Sequence, residues 1–235
     1  MYKVSYAGVC CNDLGLYVSQ RPDLPSAQRR YETIEIPGRD GKLYRDRKTY
    51  DDMEVSVSFG FLARNKDCWG DVWKNARMWL NGKSDKELYM SDMPDCYLKV
   101  KKVQIGTGAR TAYILGSFDV TFVCEPFWYL YDGKKGIEIP PEGIQIINPG
   151  HTAKPVYEIA GEGLCEIVVN GKTVTANVGQ TLTIDTDLQL AYRSGAVENT
   201  RISGNYDDLW LTEGDNMISH SGGLKVVVIP RWRYL

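Results

Sequence analysis

Few residues of this chain could do acid–base chemistry. The 235-residue sequence contains two histidines, His151 and His220. His151 stands in the turn-rich stretch NPGHTAKP and His220 in SHSGG, so both are predicted to be solvated loop histidines rather than bases. Asp51 and Asp52 are paired carboxylates, but neighbours in an extended chain point to opposite faces. They are therefore a poor general acid–base pair.

The sequence gives equally little evidence for metal or redox chemistry. None of the six cysteines forms a CxxC pair, and two histidines do not complete a zinc-ligand spacing. Cys10 and Cys11 could form a vicinal redox pair, but the alternative is that the cysteines are reduced thiols packed as small apolar groups. The acidic stretch DTD (185–187) lacks the further oxygen ligands of a calcium loop, so a solvated turn is predicted. We expect no metal site.

Sequence motifs for catalysis or cofactor binding are also missing. The chain has no GxSxG, HExxH, Walker or GxGxxG pattern. We therefore expect a protein that is not an enzyme and that needs no cofactor.

A basic run from Arg39 to Lys48 begins within the tight-turn sequence IPGRDG (36–41). It contains five basic residues, and only Asp40 and Asp46 interrupt it. Adjacent Tyr44 and Tyr50 could stack on bases. Three uses are open for this segment: an active-site loop, a nucleic-acid-binding loop, or an arm for a neighbouring subunit. Acidic residues follow at once and the net charge is -2, so the residues favour an extended mixed-charge arm.

The elements that must position this segment are strands. MEVSVSFGF (53–61) and SFDVTFVC (117–124) alternate apolar and polar residues, which predicts strands with one buried face. YLKV (97–100) and AYIL (112–115) are shorter candidates. YETIE precedes the basic run and also has the pattern of a strand.

One helix is predicted in residues 65–83. Trp69, Trp73, Ala76 and Leu80 recur at spacings of three and four, an apolar helical stripe. Asn65 or Asp67 is expected to cap its start, and Gly82 to end it in the left-handed conformation. The tryptophans are predicted to pack against a sheet rather than to form a stacking platform.

A glycine- and proline-rich stretch after Pro126 indicates a domain boundary near residue 133. The second part has strands at intervals near ten residues, which predicts an antiparallel sandwich or jelly roll. The sharpest hairpin is CEIVVNGKTVTANV, which turns at Asn170-Gly171. TLTID, LQLAY, DLWL, NMIS and LKVVVIP are further strand candidates.

No targeting segment is evident. Lys3, Asn12 and Asp13 break the apolar N-terminal stretch, which is not the pattern of a signal peptide. No run approaches the length of a membrane span. Synthesis in a cytoplasm is expected.

An ordered set of segments resembles the distal tail (Dit) proteins of long-tailed phages. In chain order these are IPGRDG, YDDMEVSVSF, WKNARMWLNGK, LYMSDMPDCYLKV, GSFDVTFVCEPFWY, INPGHTAKPVYEI, TLTIDTD, LTEGDNMIS and VVVIPRWRYL. The resemblance covers nearly the whole chain.

The resemblance implies a mainly β protein of two domains. Residues 1–132 would be a β-sandwich-like, ring-forming domain with one helix, and residues 133–235 a galectin-like antiparallel β-sandwich. Six copies would form a ring that joins the tail tube to the tip protein or tail-associated lysin and leaves a channel for DNA. The second domain would hold receptor-binding or baseplate proteins. The protein would belong to the virion, neither inserting into a membrane nor binding nucleic acid specifically.

Family members of this kind carry no catalytic residues, so none are transferred. The resemblance instead implies that the basic segment contacts a neighbouring copy in the ring. The residues expected in this inter-subunit arm are Pro37, Gly38, Arg39, Asp40, Gly41, Arg45 and Arg47. The alternative function is a carbohydrate-binding module of galectin type, for which Trp210 and Trp232 are candidates, although both lie in apolar stretches where core packing competes.

Overall fold

The computed structural model describes residues 2–82 and 86–235. The chain divides into two compact units, the first comprising Met1–Trp128 with Leu235, and the second Tyr129–Tyr234. Lys83, the last residue of the predicted helical segment, lies outside the described residues. Domain limits of 1–132 and 133–235 stay a prediction.

In its described residues, the first unit is built on strands with one α-helix, α1 (Trp69–Leu80), and a 3-10 turn at Cys11–Leu14. Its strands are β1 (Val4–Tyr6), β2 (Val9–Cys10), β3 (Leu16–Gln20), β4 (Arg29–Ile34), β5 (Leu43–Tyr50), β6 (Met53–Leu62), β7 (Glu87–Met90), β8 (Cys96–Ile105), β9 (Ala109–Arg110) and β10 (Leu115–Leu130). The last two residues of β10 belong to the second unit.

The main sheet of the first unit follows the order β2-β1-β7-β8-β10-β6-β3. Its centre is the antiparallel pair β6–β10, with Val57 opposite Val120 and Phe59 opposite Phe118. The predicted alternation is confirmed, because every second residue from Met53 to Phe61 and from Phe118 to Cys124 is buried, while Glu54 is exposed. The predicted strand 97–100 is part of β8, whereas AYIL is wrong as a strand: residues 111–114 form bends before β10 begins.

The helix packs its tryptophans on this sheet, as predicted. The ring of Trp73 lies 4.9 Å from that of Phe118, and Trp79 lies 5.8 Å from Phe59. Trp79 Nε1 donates a hydrogen bond to the Tyr6 carbonyl oxygen at 2.8 Å. The burial of such large rings, with edge-to-face contacts, is what holds a helix on a sheet.

Both predicted helix caps are wrong in detail. Asn65 Oδ1 accepts the backbone N–H groups of Asp67 and Cys68, so it closes a turn just before the helix instead of capping it. Cys68 is the N-cap residue and makes no side-chain cap. Gly82 does not have a positive φ. Asn81 ends the helix, with its side-chain amide donating to the Arg77 carbonyl oxygen at 2.9 Å.

The second unit contains ten strands besides the end of β10. These are β11 (Ile137–Ile139), β12 (Ile144–Asn148), β13 (Val156–Val169), β14 (Lys172–Asp185), β15 (Leu190–Arg193), β16 (Ala196–Val197), β17 (Ile202–Ser203), β18 (Gly214–His220), β19 (Lys225–Ile229) and β20 (Arg233–Tyr234). Short 3-10 turns occur at Tyr131–Lys134, Asn199–Arg201 and Tyr206–Leu209.

The hairpin β13–β14 organises the second unit. Its fourteen-residue strands pair without interruption, and Asn170 and Gly171 turn with φ of 51° and 81°, so the predicted turn is confirmed. The first half of β13 pairs with β19 and its second half with β18. One edge of β13 therefore pairs with two different strands along its length. Gly161, with φ of 132°, lies between those halves.

Several strand predictions in the second unit are corrected. DLWL is not a strand, because Tyr206–Leu209 is a 3-10 turn. His220 is not a solvated loop residue, since it lies on β18, only 5% exposed, with Nε2 2.9 Å from the Ile139 carbonyl oxygen. His151 is half-buried, and its backbone forms a bridge with Arg233.

The acidic stretch 185–187 is also corrected, because Asp185 is 3% exposed and ion-paired with Arg231. The expectation of a mainly β fold with antiparallel sheets and one helix is confirmed. Within the described residues, no helix has the length and apolar character needed to cross a bilayer.

Candidate assembly interface

The basic segment forms a hairpin that stands apart from the main sheet. We call residues 29–50, that is β4, β5 and the turn between them, the arm. Its two strands form a sheet of their own, with Glu32 opposite Arg45 and Thr33 opposite Tyr44. At the tip, the Arg39 N–H donates to the Ile36 carbonyl oxygen at 3.1 Å.

The glycines of the predicted turn explain why the chain reverses there. Gly38 and Gly41 have φ of 81° and 80°, a region that side chains with a Cβ avoid. A second irregularity lies on β5, where Lys48 has φ of 54° and its N–H donates to Asp46 Oδ1 at 2.7 Å. The register shifts between Arg29 and Tyr31 on the opposite strand. The arm is therefore a tight hairpin with a bulge near its base.

The arm has almost no core of its own. Its residues are exposed or half-buried throughout, and a two-stranded hairpin alone is at best marginally stable in water. It nevertheless exposes large apolar side chains, with Tyr44 63%, Tyr31 53%, Ile36 41% and Leu43 41% exposed. The rings of Tyr31 and Tyr44 meet edge-to-face across the strands at 6.3 Å. Such a surface gains stability when another surface covers it.

The base of the arm is fixed to the first unit. Tyr50 packs edge-to-face on Phe127 with ring centroids 5.8 Å apart. The Asp51 N–H donates to the Gln28 carbonyl oxygen at 2.8 Å, and the Arg30 guanidinium is ion-paired with Asp51. Tyr50 is thus a packing residue rather than an exposed base-stacking platform.

Part of the positive charge of the arm is neutralised within the chain. Three ion pairs join its own residues: Arg29 with Asp46 at 3.1 Å, Lys42 with Glu35 at 3.2 Å, and Arg47 with Glu32 at 4.0 Å. Among the described residues, no carboxylate lies within ion-pair distance of Arg39, Arg45 or Lys48. These three cations remain available to carboxylates outside the chain.

The seven residues predicted for an inter-subunit arm lie in this hairpin. Residues 37–41 form the exposed tip, and Arg45 and Arg47 lie on β5. A shallow hollow of about 420 Å³ at the tip is lined by Glu35, Ile36, Pro37, Arg39, Gly41 and Lys42.

Sequence reasoning missed the apolar contribution of Tyr31, Ile36 and Leu43. The only signal in the sequence was that these apolar residues stand among charged ones. Apolar residues isolated in this way have no core of their own to join.

The other candidate sites are not assembled. Within residues 2–82 and 86–235, no group of three or more His, Cys, Asp or Glu side chains could hold a metal ion. Trp232 is 7% exposed and belongs to the core of the second unit. Trp210 is half-buried, with Nε1 3.4 Å from the Thr186 carbonyl oxygen and the Lys154 ammonium 5.0 Å from its ring. Trp232 is therefore a core residue, and the Lys154 ammonium lies over one face of the Trp210 ring.

Comparison with known proteins agrees with these features. Residues 11–124, which include the arm, match the family model of the phage tail protein RIFT-related domain. No curated protein matches the chain.

The fold as a whole is similar to that of the Dit protein of phage SPP1, presented as a paradigm of the hub adsorption apparatus of phages that infect Gram-positive hosts. The TM-score is 0.70 at 12% identity, over 97% of each chain.

Two further similar structures are chains of the phage p2 baseplate in its activated conformation. In the structure with Ca, the TM-score is 0.55 at 11% identity, covering 100% of this chain and 97% of that one. In the structure with Sr, it is 0.55 at 10% identity, covering 97% and 96%. The resemblance to the distal tail proteins is thereby confirmed at the level of a family domain and a shared fold.

Proposed function

We propose that this chain, which carries a phage tail RIFT-related domain and the fold of the distal tail proteins, is a structural hub of a phage tail tip. Six copies form a ring that joins the tail tube to the tip protein or tail-associated lysin. The ring leaves a channel for DNA. The protein is made in the cytoplasm of the host bacterium and acts in the virion.

The observation that carries this proposal is the arm. A ring is built from heterologous contacts, in which one surface of each copy meets a different surface of the next. The arm extends a surface with exposed Tyr31 and Tyr44 rings and with three cations, Arg39, Arg45 and Lys48, that have no ion-pair partner among the described residues. Covering the rings and pairing the cations on the next copy stabilises both the hairpin and the ring. Pro37, Gly38, Asp40 and Gly41 shape its tip, while Arg47 holds Glu32.

The two units have different roles in this proposal. Residues 1–132 build the ring, and residues 133–235 are a galectin-like sandwich that holds receptor-binding or baseplate proteins. Catalysis, cofactor binding, membrane insertion and specific binding of nucleic acid are not part of the role. The fold shared with the SPP1 Dit protein and the p2 baseplate chains extends over this part of the chain, which supports a role in a tail assembly.

Light scattering coupled to size-exclusion chromatography tests the ring, followed by negative-stain microscopy. We expect a mass of six copies and a ring with a central hole. A double variant, Tyr31→Ser with Tyr44→Ser, is expected to reduce the assembly to smaller species without unfolding the chain. Tyr113→Ser is the matched control, because Tyr113 is 82% exposed outside the arm.

A monomeric wild-type chain at every concentration, alone and with a tail tube protein, would argue against the hub. An intact ring in the double variant would argue against the arm while leaving the hub in place.

A further inference from the structure

Strand β12 is an unpaired edge of the second unit. It pairs with β18 on one side, with Ile146 opposite Asn216 and Ile147 opposite Asp215. No second strand pairs with it in the described part of the chain. An edge of this kind presents a row of backbone N–H and C=O groups on which another extended chain can pair.

Other edges of this protein carry the features that block such pairing. β3 is interrupted by a register shift between Val18 and Gln20. On β11, the Glu138 carboxylate lies 3.0 Å from Lys225 Nζ of the neighbouring strand. Both strands of the arm are densely charged. β12 has the sequence IQIIN, without charge, proline or glycine, and keeps a continuous register with β18. It is an unprotected edge.

The solvent face beside this edge is apolar. Ile147 and Met217 are 66% and 54% exposed. Gln145 is directly opposite Met217, so Ile147 and Met217 are diagonal neighbours on one face, within reach of each other's side chains. A strand added to β12 could place apolar side chains of its own against this pair.

The ends of the edge are acidic. Glu142 precedes β12, while Glu213 and Asp215 lie near its other end, and all three are exposed. None of the ion pairs in the described residues involves these carboxylates. Pro141 and Pro149 flank the strand, and proline has no N–H for a ladder. The edge thus fits a short segment with basic ends.

We propose that β12 is a strand-addition site for a partner polypeptide. The segment that it takes is extended, has apolar side chains at alternate positions, and carries Lys or Arg at its ends. Backbone hydrogen bonds supply the affinity, and contacts with Ile147 and Met217 set the register. The site goes beyond the proposed hub role, and its test does not depend on whether a ring forms.

The test uses the full chain and a fluorescein-labelled peptide, Lys-Val-Thr-Val-Thr-Val-Lys, followed by fluorescence anisotropy. Ile147→Lys is expected to weaken binding about tenfold or more, because it adds the kind of charge that protects edges. Gln145→Lys, on the same exposed strand, is the second variant in case the first does not fold. Leu188→Lys is the matched control, since Leu188 is 63% exposed elsewhere in the unit.

Two N-methylated peptides test backbone pairing. One is methylated at the amides of the odd-numbered residues and the other at the amides of the even-numbered residues. At least one should lose binding, and a peptide with Glu in place of both Lys should bind more weakly. The proposal is overturned if the parent peptide does not bind, if both methylated peptides bind as well as the parent, or if the folded β12 variants bind it unchanged. The proposal is also overturned if the chain associates with itself, the β12 variants abolish that association, and the parent peptide does not bind.

Discussion

Arg231 and Asp185 form a bidentate ion pair inside the second unit. The Nη1–Oδ1 distance is 3.0 Å and the Nη2–Oδ2 distance 2.8 Å. Asp185 Oδ1 also accepts the backbone N–H groups of Asp187 and Leu188. The Arg231 N–H donates to the Gly133 carbonyl oxygen at 2.8 Å. One arginine therefore joins the beginning, the middle and the end of this unit.

Asp185→Ala is expected to lower the free energy of unfolding of the second unit by about 3 kcal/mol, because the partly buried guanidinium loses its counter-charge and two amides lose their acceptor. Urea denaturation followed by circular dichroism measures the change. Asp132→Ala is the control, since it removes an exposed ion pair with Lys135. Exposed ion pairs contribute little to stability, so the urea midpoint of Asp132→Ala should hardly move. Equal losses in both variants would contradict the role of the buried pair.

Gly41→Val is expected to weaken assembly and to leave both units folded. Valine resists the φ of 80°, at a local cost of about 1–3 kcal/mol, and the arm contributes little to the core. Gly195→Val is matched, with φ of 83° and open space around an added Cβ, but lies in a turn of the second unit. Light scattering should separate the two variants while their circular dichroism stays the same. Loss of assembly in both, or in neither, would count against the arm.

The chain is expected not to bind duplex DNA at physiological salt. The arm pairs Lys42 with Glu35 and Arg47 with Glu32, and the net charge of the chain is -2. Anisotropy titrations across a salt series measure binding, which should appear only weakly at low salt. Glu32→Gln with Glu35→Gln releases two cations and should increase that weak retention. Wild-type binding tighter than about 10⁻⁶ M near physiological salt would exceed ordinary non-specific contacts and contradict the expectation.

Two thiols are expected to react rapidly in the native chain. Cys10 and Cys68 are half-buried. Burial raises the pKa of the Cys124 thiol to about 12 and that of Cys165 to about 11, so both stay protonated at pH 8, where the thiolate is the reactive form. A thiol titration with a chromogenic disulfide should show a fast phase of two thiols. Cys10→Ser with Cys68→Ser should remove it, and the remaining thiols should react only after unfolding.

Local patterns predicted the parts of the fold that depend on neighbours in sequence. The alternation in residues 53–61 and 117–124, the turn at Asn170 and the stripe of α1 are properties of short segments, and each was confirmed. The tight turn of the arm belongs to the same class, because its glycines specify the backbone.

Features made by distant residues could not be predicted in this way. The partner of Asp185 is 46 positions away, and that of His220 is 81 positions away. Both residues therefore looked like members of solvated turns. The segment AYIL has strand-forming residues, but the Arg110 guanidinium donates to the Tyr113 carbonyl oxygen and the stretch bends instead. The surface that we propose for another copy of the chain leaves no pattern in the sequence beyond apolar residues among the charges of the arm.

The shared hairpin of the second unit has a consequence for folding kinetics. Its fourteen residue pairs all close from the turn at Asn170-Gly171, so the pairs nearest the turn form at small loop-closure cost and the rest can zip outward. The same strands then present edges on which β18 and β19 pair. A slip of one residue at that turn would turn every buried side chain of β13 outward with respect to β14. Because β18 and β19 both pair with β13, the slip would misalign the two strands together.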